Sequence, residues 1–135
     1  MIFKEIPIQL PEFRKLYKSL GEEKIRDILH RFYLKMSDDI LLGFFFDGKD
    51  LAHIAERQGD FLLRAMGAVP SYSGLAPSDA HREIAPILSG HFDRRLKLLE
   101  EILVESKLTP KEVIAWIGFE NAFRDAILKQ DPKSQ

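Results

Sequence analysis

Apolar positions recur along most of this chain at the three- and four-residue spacing of a helix face, and the alternation of a strand is scarce. Ile25, Ile28, Leu29, Phe32 and Met36 form one stripe and predict a helix from about Glu22 to Met36, with Gly21 marking the turn before it. A short, very apolar segment, Asp38 to Phe46, follows and ends at the Asp47-Gly48 turn. Leu51, Ile54, Ala55, Leu62, Ala65 and Met66 share a face and predict a helix over roughly Lys49 to Met66. The next stretch, Gly67 to Pro77, is rich in glycine, serine and proline and cannot be regular helix. A short helix is expected around Ser78 to Ile84, before Pro86.

Two more helices close the pattern. Leu88 to Glu105 places Phe92, Leu96, Leu99 and Leu103 on one side. The last helix opens on Thr109 as cap, Pro110 at the first helical position and Glu112 completing a capping box. It carries Val113, Trp116, Ile117, Phe119, Phe123 and Ile127, a broad apolar surface that predicts deep burial. Leu10 to Leu20 reads as a short amphipathic helix. The expected fold class is all-α, with one long central loop. A loop of that length in a compact domain is often functional.

The 135 residues suit one domain, with residues 1–9 as an N-terminal extension and 130–135 as a polar tail. Apolar residues make up 45% and charged residues 30%, the mix of a soluble globular chain. The net charge of −1 gives no electrostatic reason to expect nucleic acid as a partner. No cysteine is present, which excludes disulfides and thiolate chemistry. Met1 to Leu10 makes a poor signal peptide, and the longest apolar run, around Ile40 to Phe46, is too short to span a membrane. A cytoplasmic location is the simpler expectation.

Polar residues on apolar faces carry the most information. At 100° per residue Gln58 falls inside the stripe of Ile54, Leu62 and Met66. It is either a core amide bonded to a neighbouring carbonyl or a donor aimed into a ligand pocket. Tyr33 lies at the edge of the stripe of Leu29 and Phe32 and reads as a core tyrosine or as a second such donor. Among the histidines, His30 lies off its apolar stripe and should be solvated. His53 sits about 140° from Gln58 and should point outward. His91 falls at a helix start and should be at least half exposed. His81, between Pro77 and Pro86, is the best ligand candidate, beside the plain alternative of a structural histidine. The pairs Asp27/His30 and Asp50/His53 have the spacing of di-iron ligands but lie on polar faces, so that reading is set aside. Nucleophile motifs and phosphate-cradling glycine loops are missing. Arg94, Arg95 and Lys97, with Glu100 and Glu101, read as a solvated helix face.

Taken in order, several strings resemble the truncated hemoglobins, most closely their first group. They are Leu16-Tyr17-Lys18-Ser19-Leu20-Gly21, Arg31-Phe32-Tyr33, Leu42-Gly43-Phe44-Phe45-Phe46, Gln58-Gly59-Asp60-Phe61-Leu62, Pro70-Ser71-Tyr72-Ser73-Gly74, and Ala80-His81 followed by His91-Phe92-Asp93-Arg94. The resemblance covers about Tyr17 to Ile127. It implies a truncated globin fold, a two-over-two helical sandwich around heme b. By position it implies His81 as the proximal iron ligand and Tyr33 and Gln58 as the distal hydrogen-bonding pair. The resemblance further implies Phe46 as the phenylalanine packed on the porphyrin, and Phe61, Leu62, Tyr72, Phe92 and Leu96 as pocket-lining residues. Ile54 stands where many globins carry a distal histidine and cannot ligate iron.

Two departures stand out. The paired glycines usual in the family read here Gly21-Glu22 and Gly67-Ala68, and the stretch from His81 to Phe92 is slightly longer than usual. The implied function is binding of dioxygen, nitric oxide and carbon monoxide. Nitric oxide dioxygenase or peroxidase-like chemistry is a further expectation and needs a reductase as partner. The alternatives are a gas or redox sensor acting through a protein partner, and a heme-free helical interaction module.

Overall fold

The structure is a computed structural model and describes residues 3–68 and 86–128, apart from the side chain of Lys4. The described residues are helical, joined by turns. They form α1 (Leu10–Leu20), α2 (Glu22–Ser37), α3 (Leu51–Ala65), α4 (Ser89–Glu105), α5 (Pro110–Asn121) and α6 (Arg124–Leu128), with 3-10 turns at Phe3–Glu5 and Gly43–Phe46. The expected short helix around Ser78 to Ile84 lies outside the described residues.

The stripes read from the sequence are the buried faces. Ile25, Ile28, Leu29, Phe32 and Met36 of α2 are all at most 2% exposed. With this face α2 packs against both α3 and α4, while α5 closes on α4 and α1. Phe13 of α1 stacks on Phe119 of α5 with ring centroids 3.9 Å apart. Trp116, fully buried, anchors α5 in the core.

Local chemistry sets the helix boundaries. Gly21 takes φ +82° between α1 and α2, and Gly67 takes φ +81° just past α3, a region that costs glycine little. A single glycine is therefore enough at each place where a pair was expected. After α3 the turn closes through Ala68 N–H to Leu63 O at 2.9 Å. The Asp50 carboxylate accepts from the His53 N–H at 3.1 Å, so the spacing that resembled a metal pair is a helix cap. This cap also explains why α3 starts at Leu51 rather than Lys49. The capping box of α5 forms as expected. Glu112 N–H donates to Thr109 Oγ1 at 3.2 Å, and Thr109 N–H to Glu112 Oε1 at 2.8 Å.

The last helix departs from expectation. It breaks after Asn121, where Phe123 N–H turns back to Glu120 O at 3.1 Å. The break lets Arg124 reach Asp93 of α4 at 2.6 Å and turns Phe123 and Ile127 toward the interior.

Gly118 offers a test of this packing. A β-carbon there would strike the backbone carbonyl of Pro7, because the N-terminal segment lies directly on α5. Gly118→Ala should lower stability by about 1–3 kcal/mol. Gly90→Ala, which meets nothing within 4 Å on α4, should instead raise it by about 0.4–1 kcal/mol. Denaturant midpoints of the two variants check the contrast.

Candidate functional site

Between α2, α3, α4 and the α5–α6 break the helices leave a cavity of about 550 Å³. Its walls are mainly apolar and aromatic: Met36, Leu42, Phe45, Phe46, Ile54, Phe61, Ile87, Phe92, Phe119, Phe123 and Ile127. Tyr33 and Gln58, from α2 and α3, also line it, so the two donors singled out in the sequence face one space. Tyr33 is 8% exposed and its ring meets Phe46 edge-on, with centroids 5.9 Å apart. Gln58 is half-buried.

Of the expected pocket residues, Phe46, Ile54, Phe61 and Phe92 line the cavity. Leu62 and Leu96 do not. Both are fully buried in the core behind it. On α3 the neighbouring Phe61 takes the wall position, and successive helical residues point about 100° apart. Tyr72 and His81 lie outside the described residues.

The structure adds a charged pair, Arg95, which the sequence reading had placed on a solvated face, and Glu120, which it had passed over. Arg95 is not on a solvated face. Its guanidinium lines the cavity, lies 5.1 Å from the centroid of the Phe32 ring, and pairs with Glu120 at 2.7 Å. The Glu120 side chain is 6% exposed, and its second oxygen accepts from the Trp116 indole N–H at 3.3 Å. Burial alone would lower the Arg95 pKa. The Glu120 carboxylate and the Tyr33 oxygen outweigh it and hold Arg95 well above its ordinary value.

Both residues left a signal. On a helical wheel Glu120 falls among Val113, Trp116 and Ile117, and Arg95 falls beside Leu99 at the edge of its stripe. Arg94 and Lys97 point to the other side. Arg94 bonds Asp39, and Lys97 pairs with Glu100 at 3.2 Å.

The cavity meets solvent beside basic groups. Lys49 and His53 are exposed, Arg57 is half-buried, and all three line it. His53 thus points outward as expected, yet at the cavity's margin. His91 is half-buried, accepts the Leu88 N–H on Nδ1 at 3.0 Å, and contacts the rings of Phe44 and Phe45. His30 is less solvated than expected. It lies 2.8 Å from Glu56, within a network where Arg26 binds Glu22, Glu56 and Asp60.

Residues 15–128 match the family model of the bacterial-like globins. The chain belongs to the bacterial-like globin family. It is 27% identical over 108 residues to a group 1 truncated hemoglobin of Chlamydomonas moewusii, a stretch covering 79% of this chain but only 63% of that protein. It is 30% identical over 95 residues to a group 1 truncated hemoglobin of Tetrahymena pyriformis, covering 70% of this chain and 78% of that one. Among solved structures it is similar to the 2/2 hemoglobin from Synechococcus sp. PCC 7002, crystallised in the cyanomet state with covalently attached heme. The TM-score is 0.74 and the identity 26%, over 84% of this chain and 98% of that chain. The globin fold here is therefore all-α and of the two-over-two kind.

The family implies a heme, and the cavity suits one. A flat apolar macrocycle needs apolar and aromatic walls, its carboxylates need cations near solvent, and a gas ligand needs a buried donor. Phe46, Phe61 and Phe92 supply the first, Lys49 and Arg57 the second, and Tyr33 and Gln58 the third.

One clamp on the globin's cavity is acid-sensitive. Asp39 accepts from Arg94 at 2.7 and 3.0 Å and from the Leu41 and Leu42 N–H groups, tying the segment that carries Phe45 and Phe46 to α4. The Arg94 guanidinium holds the Asp39 carboxyl below the usual carboxylate value. Burial opposes this, and the two backbone N–H groups add to it. A depressed folded pKa means the contribution is whole above the unfolded value of about 3.9 and is lost as pH falls through the lower folded value. Denaturation midpoints measured from pH 6 down to acid should therefore fall less steeply in Asp39→Asn than in the parent.

Proposed function

We propose that this chain binds heme b with His81 as the proximal ligand and reversibly binds dioxygen and other diatomic gases. One observation carries the reading. Tyr33 and Gln58, on different helices, converge on a single aromatic-walled cavity of a globin. When bound, the heme would supply an iron able to take a diatomic gas as ligand.

The chain's own residues do the rest. Phe46, Phe61, Phe92 and Ile54 exclude water from the apolar walls. Ile54 offers no ligating atom, so hydrogen bonding falls to Tyr33 and Gln58. Dioxygen as a ligand is polarised and gains more from such donors than carbon monoxide does, because a buried hydrogen bond is electrostatically stronger than one in water. Lys49 and Arg57 would meet the heme carboxylates. A ligating imidazole usually donates its other N–H to a carbonyl or carboxylate, which sets the ring's orientation.

Hemin added to the purified chain should produce a Soret band and raise the melting temperature, since a ligand of the native state stabilises it. His81→Ala should abolish or strongly weaken the band; an unchanged spectrum overturns the ligand assignment. Stopped-flow measurement of dioxygen release should show Tyr33→Phe releasing its ligand faster, at least tenfold if about 1.4 kcal/mol of hydrogen bonding is lost.

A further inference from the structure

The Arg95–Glu120 pair is the one strongly buried ion pair among the described residues, and it faces the cavity rather than the core. That placement is costly. Two charges withdrawn from water recover the loss only with good geometry and further hydrogen bonds, and apolar residues of the same volume often serve stability as well or better. Stability alone is therefore a weak reason for the pair. Its geometry suggests a task instead.

Glu120 has both oxygens engaged, one with Arg95 at 2.7 Å and one with the Trp116 indole at 3.3 Å, so its position is fixed from two sides. The arginine fork has several N–H groups and no acceptor. The guanidinium also lies 5.1 Å from the centroid of the Phe32 ring, and Tyr33, the next residue, lines the same cavity and interacts electrostatically with the guanidinium through its phenol oxygen. Since arginine only donates, the phenol oxygen can face it only as an acceptor, and what Tyr33 offers in turn is its own proton. A phenol receiving a bond from a cation is a stronger donor than one receiving from a neutral group, because successive bonds in a chain polarise one another.

We propose that Arg95, held in place by Glu120, is the positioning residue for Tyr33, orienting its hydroxyl proton toward a ligand in the cavity and strengthening that donation. The proposal rests on the reading of the cavity as a heme site. It predicts a preference for polarised ligands set by three residues in series, Glu120 to Arg95 to Tyr33, with Gln58 contributing from the opposite helix.

The test uses the hemin-loaded, reduced chain under carbon monoxide. It reads the C–O stretching band, which reports hydrogen bonding at the ligand, together with the rate of dioxygen release. Arg95→Met combined with Glu120→Gln removes both charges without stranding either. It should move the band to higher frequency and speed dioxygen release about fivefold, the size expected when a charge-assisted hydrogen bond becomes a neutral one. In a Tyr33→Phe background the same pair of substitutions should add nothing. Arg95→Lys, which keeps a cationic donor, should retain most of the parent band position. If the paired variant fails to fold, Arg95→Gln should show the same direction of change.

Parent values in the paired variant, with Tyr33→Phe moving both readouts, would show the ion pair to be structural only and overturn the proposal. A full shift persisting in the Tyr33→Phe background would overturn it too, since Arg95 would then act without Tyr33. A parent chain that takes up no hemin overturns both this inference and the function beneath it, so the failures are distinguishable.

Discussion

The helices have to hold a space of about 550 Å³ open at their own centre, and most other features of the structure answer to that requirement. Protein interiors are close-packed, and a dry void costs about 24 cal/mol per Å³. A space of this size, if empty and sealed, would cost on the order of 13 kcal/mol, comparable to the whole stability of an ordinary domain. It therefore has to hold a ligand or water. Its aromatic walls favour a large flat apolar ligand, and Lys49 and His53 at its margin favour one with an anionic edge. The α5–α6 break serves the same space, since a continuous helix through Ile127 would not turn Phe123 and Ile127 onto the wall while placing Arg124 against Asp93.

Arginines tie the surrounding elements together across their packed faces. Arg26 joins α2 to α3, with Gly59 leaving room for its guanidinium. Arg94 joins the segment after α2 to α4, Arg124 joins α6 to α4, and Arg95 joins α4 to α5. These pairs differ in energy more than in geometry. The partly exposed pairs of Arg26 and Arg124 each contribute little on their own. The Arg95 pair, largely desolvated and hydrogen-bonded to Trp116, is a feature whose disruption on one side would leave a charge stranded beside the cavity. Its influence falls on the cavity's polarity, whereas the others fix where the walls stand.

The helices were legible because each buries one face, and a face is a local property of the chain. The stripes of α2, α3, α4 and α5, the capping box at Thr109 and the turns at Gly21 and Gly67 follow from neighbouring residues alone. The resemblance to truncated hemoglobins supplied the order of the site, and the structure brings Tyr33, Gln58, Phe46, Ile54, Phe61 and Phe92 around one space. Leu62 and Leu96 show where that reasoning stops. Both sit on apolar faces beside cavity-lining residues, but whether such a face meets a core or a cavity depends on the element opposite, which periodicity does not contain. The break after Asn121 was hidden for a similar reason, because Phe123 and Ile127 satisfy the helical pattern whether or not the helix is continuous.

Arg95 was misplaced and Glu120 passed over for a different reason, and the correction changes what Tyr33 means. Charges in a cluster read as solvated because isolated charges are almost never buried. The exception is a charge whose partner is buried with it, and here that partner lies 25 residues away on another helix. The wheel position of Glu120, among Val113, Trp116 and Ile117, was as conspicuous as that of Gln58 and is the stronger clue of the two. An amide on an apolar face can satisfy itself against a nearby carbonyl, whereas a carboxylate there demands a cation from elsewhere in the fold. Once Glu120 is seen to require Arg95, and Arg95 to reach Tyr33, the tyrosine is no longer one donor chosen from several aromatic residues. In the proposed arrangement it is the end of a series of polar contacts whose other members, Arg95, Glu120 and Trp116, are bonded to one another, and its orientation toward the cavity follows from theirs.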